Sequence, residues 1–173
     1  MAKHMKTFDK ISREIDYGAG VRYMVIRADL MYDAPDSLLD ITTEMTGRDI
    51  LNSDNPGLNF KELGKRQPMR EDTIYRVFAF KDGEKEVSHK EALSFAEKIN
   101  MRLPTRKEVG WIRANREQLP QWKHSIDPER CYWTNHIPPV NSTFLYYFFG
   151  DNAAEKGTED TGSKCWVRCI AKM

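Results

Sequence analysis

The chain has 173 residues, 40% hydrophobic and 11% aromatic, with a formal net charge of +1. That length suits one domain, or one domain with an extension, and the composition excludes an intrinsically disordered chain. The near-neutral charge excludes a globally basic nucleic-acid binder, leaving only a local patch open, and no apolar run reaches the ~18 residues of a membrane span.

The start, MAKHMKTFDKISREI, is basic but lacks the apolar core of a secretory signal. The expected compartment is the cytoplasm, where the three cysteines stay as free thiols. A short helix is expected over residues 7–15, ended by the glycine turn YGAG. In VRYMVIRADLMY, the alternating Met24, Ile26, Ala28 and Leu30 predict a strand with one buried face. DAPDSLLDITTEMTGRDI reads as a helix entered at Pro35, with Asp33 or Asp36 as its cap. Leu38, Ile41, Thr42 and Met45 share one face of that helix, and Gly47 is its stop. Residues 52–72, with NSDNPG, Gly64 and Pro68, form a loop-rich connector. The boundary falls there: an N-terminal α/β extension over 1–72 and a second domain over 73–173.

DTIYRVFAF predicts a strand, followed by a turn at Asp82-Gly83. Two capping boxes follow, Ser88 with Glu91 and Thr105 with Glu108. The first opens a helix with the apolar stripe Ala92, Phe95, Ala96 and Ile99. Pro104 keeps Leu103 extended, so the second helix begins after it and runs to about Gln118, with Val109 and Ile112 inward. LPQWKHSIDPER is a loop with a turn at Asp127-Pro128. CYWTN, TFLYYFF and CWVRCIA predict three strands, and residues 150–164 between the last two read as a long polar loop.

Arg102, Leu103, Pro104, Thr105 and Glu108; Tyr132, Trp133 and Thr134; Phe148, Phe149 and Gly150; Val167, Arg168 and Cys169 occur in an order that resembles a known family. It is the domain found at the C-terminus of the Legionella collagen-like adhesin, in phage and bacteria, a branch of the C-type-lectin-like fold. Formylglycine-generating enzymes and the variable proteins of diversity-generating retroelements are its distant relatives. The resemblance covers roughly residues 73–173. It implies an α+β architecture: a C-type-lectin-like fold with two helices packed on a twisted antiparallel sheet, plus the N-terminal α/β extension.

The implied activity is that of a ligand- or protein-binding module, phage-encoded or bacterial, residing in the cytoplasm, the host cytoplasm or a virion. Its loops at 119–142 and 150–164 supply the candidate ligand residues Trp122, His124, Trp133, Asn135, Asn141, Asp151 and Asn152. Tyr132 and Trp133 are also of the type that fills cores. A protein partner is favoured over a carbohydrate, because IPPVN and GDN offer too few hard oxygen ligands for calcium. Neither a cofactor, a metal nor a catalytic residue is assigned, and the oligomeric state is left open.

The alternative is a small enzyme with a cleft between extension and lectin-like half, lined by Arg22, Arg27, Asp29 and Tyr32. A third reading gives nucleic acid to the basic helix face of Arg106, Lys107, Arg113 and Arg116, with Lys123 nearby. Formylglycine-generating enzymes carry a cysteine pair near a terminal segment, but Cys165 and Cys169 on one strand lie about 13 Å apart, too far for one disulfide. Inert thiols are expected, with Cys131 in reach of one of them across neighbouring strands. RLPT is expected to be structural, with Arg102 and Glu108 paired or bonded to backbone near the helix ends.

Overall fold

A computed structural model describes residues 20–54, 58, 70–119, 126–150 and 153–173. The expected helix over 7–15 and most of the 52–72 connector lie outside them. The architecture is α+β, with mixed helices and antiparallel sheets. Two units are distinguished: Met1–Phe80 with Lys172–Met173, and Lys81–Ala171. Among the described residues, no helix is long and apolar enough to cross a membrane.

The first unit begins with β1 (Val21–Arg27) and a single 3-10 turn, Ala28–Met31. Helix α1 (Asp36–Leu39), β2 (Thr43–Thr46), α2 (Gly47–Leu51) and most of β3 (Ile74–Asp82) follow. The strand order is β1-β3-β2, and β2 runs antiparallel to β3 with Thr43 opposite Val77 and Thr46 opposite Ile74. Val25, Ile50, Leu51, Leu58, Tyr75 and Val77 form the core cluster. Each fully buried aliphatic side chain of this kind contributes about 1.5–3 kcal/mol.

Four local expectations are corrected here. The strand at 21–32 stops at Arg27, and Met24, Val25 and Ile26 are all buried, so both its faces are covered and the simple alternation fails. The helix expected through residue 46 stops at Leu39. There Thr42 turns back on the Leu39 carbonyl with both its N–H (3.0 Å) and its hydroxyl (2.7 Å). The β-branched threonines beyond it suit a pleated strand better than a helix. The cap position of α1 is held by Pro35, not by Asp33 or Asp36. Gly47 opens α2 instead of ending a helix, because Thr46 and Asp49 form a capping box across it, at 3.1 Å each way. A Cβ at Gly47 would run into the Arg70 carbonyl, so the close backbone approach selects glycine.

The second unit holds α3 (His89–Lys98) and α4 (Arg106–Asn115), the latter prolonged by a 3-10 turn at Arg116–Gln118. Its sheet is β4 (Cys131–Trp133), β5 (Leu145–Phe149) and β6 (Glu155–Thr158), in that order and antiparallel. β7 (Arg168–Lys172) pairs with β3, whose last two residues belong to this unit. Both predicted capping boxes at Ser88 and Thr105 are formed. Ala92, Ala96, Leu103, Trp133, Leu145, Cys165, Val167 and Cys169 make the core, and the alanines let α3 sit close to it.

The polar stretch read as a loop over 150–164 contains β6. That strand lies at one end of the β4-β5-β6 order and is mostly exposed, so it carries no apolar alternation to betray it. Gly157 lies under the Phe144 ring, where a Cβ would overlap it. The chain also fails to turn sharply at Asp82-Gly83. Gly83 N–H donates to the Val167 carbonyl at 2.9 Å, and Val87 then pairs with Cys165.

Candidate functional site

The stretch KINMRLPTRKE builds a fixed corner. Asn100, at φ 58, ends α3: its N–H donates to the Glu97 carbonyl (3.0 Å) and Met101 N–H to the Ala96 carbonyl (2.8 Å). This is a Schellman stop, in which asparagine tolerates the left-handed conformation. Arg102 then exchanges two backbone hydrogen bonds with Ile170, at 3.0 and 2.7 Å. Its guanidinium forks onto Glu108 at 2.8 and 2.7 Å. The Glu108 carboxylate also accepts the Thr105 N–H at 2.8 Å, and Glu108 is 0% exposed. One carboxylate therefore completes the cap of α4 and satisfies the arginine, which is what its burial requires.

β7 carries a second fork. Arg168, also 0% exposed, donates from Nε and Nη2 to Asp82 at 2.6 and 2.8 Å. Trp133 sits in the core, its indole N–H on the Val87 carbonyl at 2.8 Å and its ring edge-on to Tyr147 and His89. His89 Nε2 lies 2.9 Å from the Thr134 carbonyl oxygen. Burial lowers its pKa, so neutral His89 donates from a protonated Nε2. Thr134 closes the frame by donating its N–H (3.1 Å) and hydroxyl (2.9 Å) to the Tyr146 carbonyl.

From this frame springs the loop 135–143. Asn135 N–H donates to the Pro104 carbonyl at 2.9 Å, and Ser142 N–H to the Pro139 carbonyl at 2.9 Å. The Thr143 hydroxyl donates to the Glu159 carbonyl at 3.3 Å. Both ends are thus tied, while the tip is apolar and open: Ile137 is 72% and Val140 102% exposed. Beside the loop is an open groove of about 320 Å³ whose apolar lining comes from Leu93, Ala96, Met101, Leu103 and Ile137, with Asn135 at the same wall. A wider depression of about 730 Å³ has Val87 and Phe95 among its lining, with Lys85, Lys90 and Lys98 around them.

Among the residues singled out from sequence, Asn135 and Asn141 lie on this loop, Asn141 exposed. Trp133, also of the type that fills cores, is fully buried on β4. Trp122, His124, Asp151 and Asn152, with Lys123, lie outside the described residues. The basic helix face is divided. Arg106 forks onto Glu155 at 2.9 and 2.7 Å and lies 3.5 Å over the Tyr146 ring, and Arg116 donates to the Arg113 carbonyl at 3.0 Å. Lys107 and Arg113 remain exposed. Arg27 forks onto Asp29 at 3.1 and 2.6 Å at the surface, with Tyr32 85% exposed and Arg22 exposed.

Ile137 and Val140 were missed because apolar residues inside a proline-containing loop have no period to read. The only signal was the IPPV run itself, too apolar for a solvated turn. No family model and no curated protein matches the chain.

Proposed function

We propose that the chain is a partner-binding module on a C-type-lectin-like scaffold, of the phage and bacterial branch, with another protein as its partner. The contact surface is the loop 135–143 with the groove beside α3. The observation that carries this reading is the pair Ile137 and Val140, both solvent-facing on a loop whose two ends are hydrogen-bonded to Pro104 and Glu159. Exposed aliphatic tips on a fixed loop suit the dry centre of a protein interface better than a sugar or a phosphate.

The order of the family-like segments along the fold supports the scaffold. RLPT precedes α4, Tyr132 and Trp133 are on β4, Phe148 and Phe149 end β5, and Arg168 and Cys169 open β7, which pairs with β3. The nucleic-acid reading has less support, since Arg106 is committed to Glu155 and Tyr146. Burying the two aliphatic tips is worth about 3–6 kcal/mol. Micromolar affinity needs about 8 kcal/mol, so the groove and its polar rim supply the remainder.

The test is capture from a lysate of the source cells with three baits: the wild type, Ile137→Asp with Val140→Asp, and Lys107→Glu with Arg113→Glu. The expected result is a protein held by the wild type and the basic-face variant and lost from the loop variant, with melting unchanged. Equal capture by all three baits, or loss only with the basic-face variant, contradicts the reading.

A further inference from the structure

Cys131 opens β4 with Phe149 opposite it on β5. On the other side of β4 runs the segment leading to β7. Trp166 N–H donates to the Cys131 carbonyl at 2.8 Å and Trp133 N–H to the Trp166 carbonyl at 3.1 Å, a parallel bridge between Tyr132 and Trp166. Cys131 and Cys165 each stand one residue before that bridged pair, so they lie side by side and face the same way. Paired strands are about 4.7–4.9 Å apart, inside the roughly 4.4–6.8 Å Cα window of a disulfide. Both thiols are free, and the Cys131 thiol donates to the Lys164 carbonyl at 3.7 Å. Cys131 is half-buried, whereas Cys165 is buried.

We infer that Cys131 and Cys165 form a reversible dithiol oxidation site, with Cys131 as the attacking thiol, Cys165 as the resolving thiol and a low-molecular-weight disulfide as co-reactant. This goes beyond the binding reading and does not depend on it. The neighbouring Cys165 thiol holds the Cys131 thiol below its ordinary pKa, while the same closeness and burial push Cys165 up. The nearby Glu86 carboxylate raises both, and Arg130, stacked 3.6 Å over the Trp166 ring, is the neighbouring cation.

Chemically, the Cys131 thiol gives its proton to water, and the resulting thiolate attacks one sulfur of glutathione disulfide. The S–S bond breaks and one glutathione thiolate leaves, taking a proton from water. Cys165 then loses its proton to water and attacks the Cys131 sulfur, expelling the second glutathione thiolate, which is protonated in turn. The protein loses two electrons and two protons, and the two glutathiones gain them. The new bond closes the span 131–165, which contains the loop 135–143 and the β5–β6 hairpin. Cys169, 0% exposed, takes no part.

The test uses the full chain in glutathione buffers of graded redox poise, followed by acid quench, alkylation and tryptic mapping. Cleavage after Arg130, Lys156, Lys164, Arg168 and Lys172 gives peptides 131–156, 165–168 and 169–172, each with one cysteine. The expected product is a single cross-link between 131–156 and 165–168, reversed by reductant, with 169–172 alkylated. Cys169→Ser forms the same cross-link at the same midpoint, and Cys165→Ser accumulates the glutathione adduct on Cys131. A stable adduct on wild-type Cys131 without cross-linking overturns the inference. So does a cross-link to 169–172, or one that forms only in denaturant.

Discussion

Glu108→Ala is the most informative single change. The carboxylate is 0% exposed and accepts three hydrogen bonds, two from Arg102 and one from the Thr105 N–H. Truncation leaves the guanidinium without its counter-charge, a loss of about 3–5 kcal/mol for a buried pair. The Arg102 side chain keeps 31% of its exposure, so solvent recovers part and the low end applies. Loss of the cap partner adds about 1 kcal/mol. The sum is about 4 kcal/mol, and at about 2–4 °C per kcal/mol for a chain of this length the melting midpoint falls by about 8–16 °C. Glu108→Gln keeps an acceptor for Thr105 but loses one arm of the fork, so it falls by roughly half as much. Arg102→Met combined with Glu108→Leu removes both charges together and melts above Glu108→Ala. Differential scanning calorimetry reads all three. A shift below about 2 °C for Glu108→Ala, or a double variant worse than the single, refutes the idea that this pair holds the corner.

Asp82→Asn strips the counter-charge from a fully buried Arg168 and costs about 3 kcal/mol, read as a lower urea midpoint with an unchanged slope. Gly47→Ala drives a Cβ into the Arg70 carbonyl and destabilises the first unit by about 1–3 kcal/mol, seen as faster hydrogen exchange across β2 and β3. His89 has a folded pKa below its ordinary 6.5, mainly through burial. The unfolded chain therefore binds more protons below that value, so stability falls as pH drops through it and levels off beneath the folded pKa. His89→Gln flattens that part of the melting-versus-pH curve. Burial pushes the Cys169 thiol up to about 12, so iodoacetamide at pH 8 labels native Cys131 and leaves peptide 169–172 unlabelled until denaturant is added.

Local chemistry was the readable part of this sequence. Ser88-Glu91 and Thr105-Glu108 signal their helices because a capping box is satisfied within four residues. DSLLDITTEM has helical spacing as well, yet Thr43–Thr46 pair with β3 some thirty residues away, and that long-range gain decides. Thr46-Asp49 is a third capping box that the expected helix concealed. β6 was illegible because an exposed edge strand needs no apolar alternation. Likewise, nothing near Asp82 or Arg168 in the chain announces their fork, since the two lie |i−j| = 86 apart. At the candidate surface, Asn135 was readable as a loop residue after an aromatic strand. Ile137 and Val140 acquire meaning only once both ends of their loop are seen to be fixed.

Site-specific photocrosslinking from Val140 tests the central claim most directly, with a crosslinker at exposed Lys107 as the comparison. The account predicts that position 140 captures a discrete protein in source cells and that Ile137→Asp abolishes the product. It is contradicted if position 140 yields nothing above background, or if the adduct forms only at position 107 and is digested by nuclease.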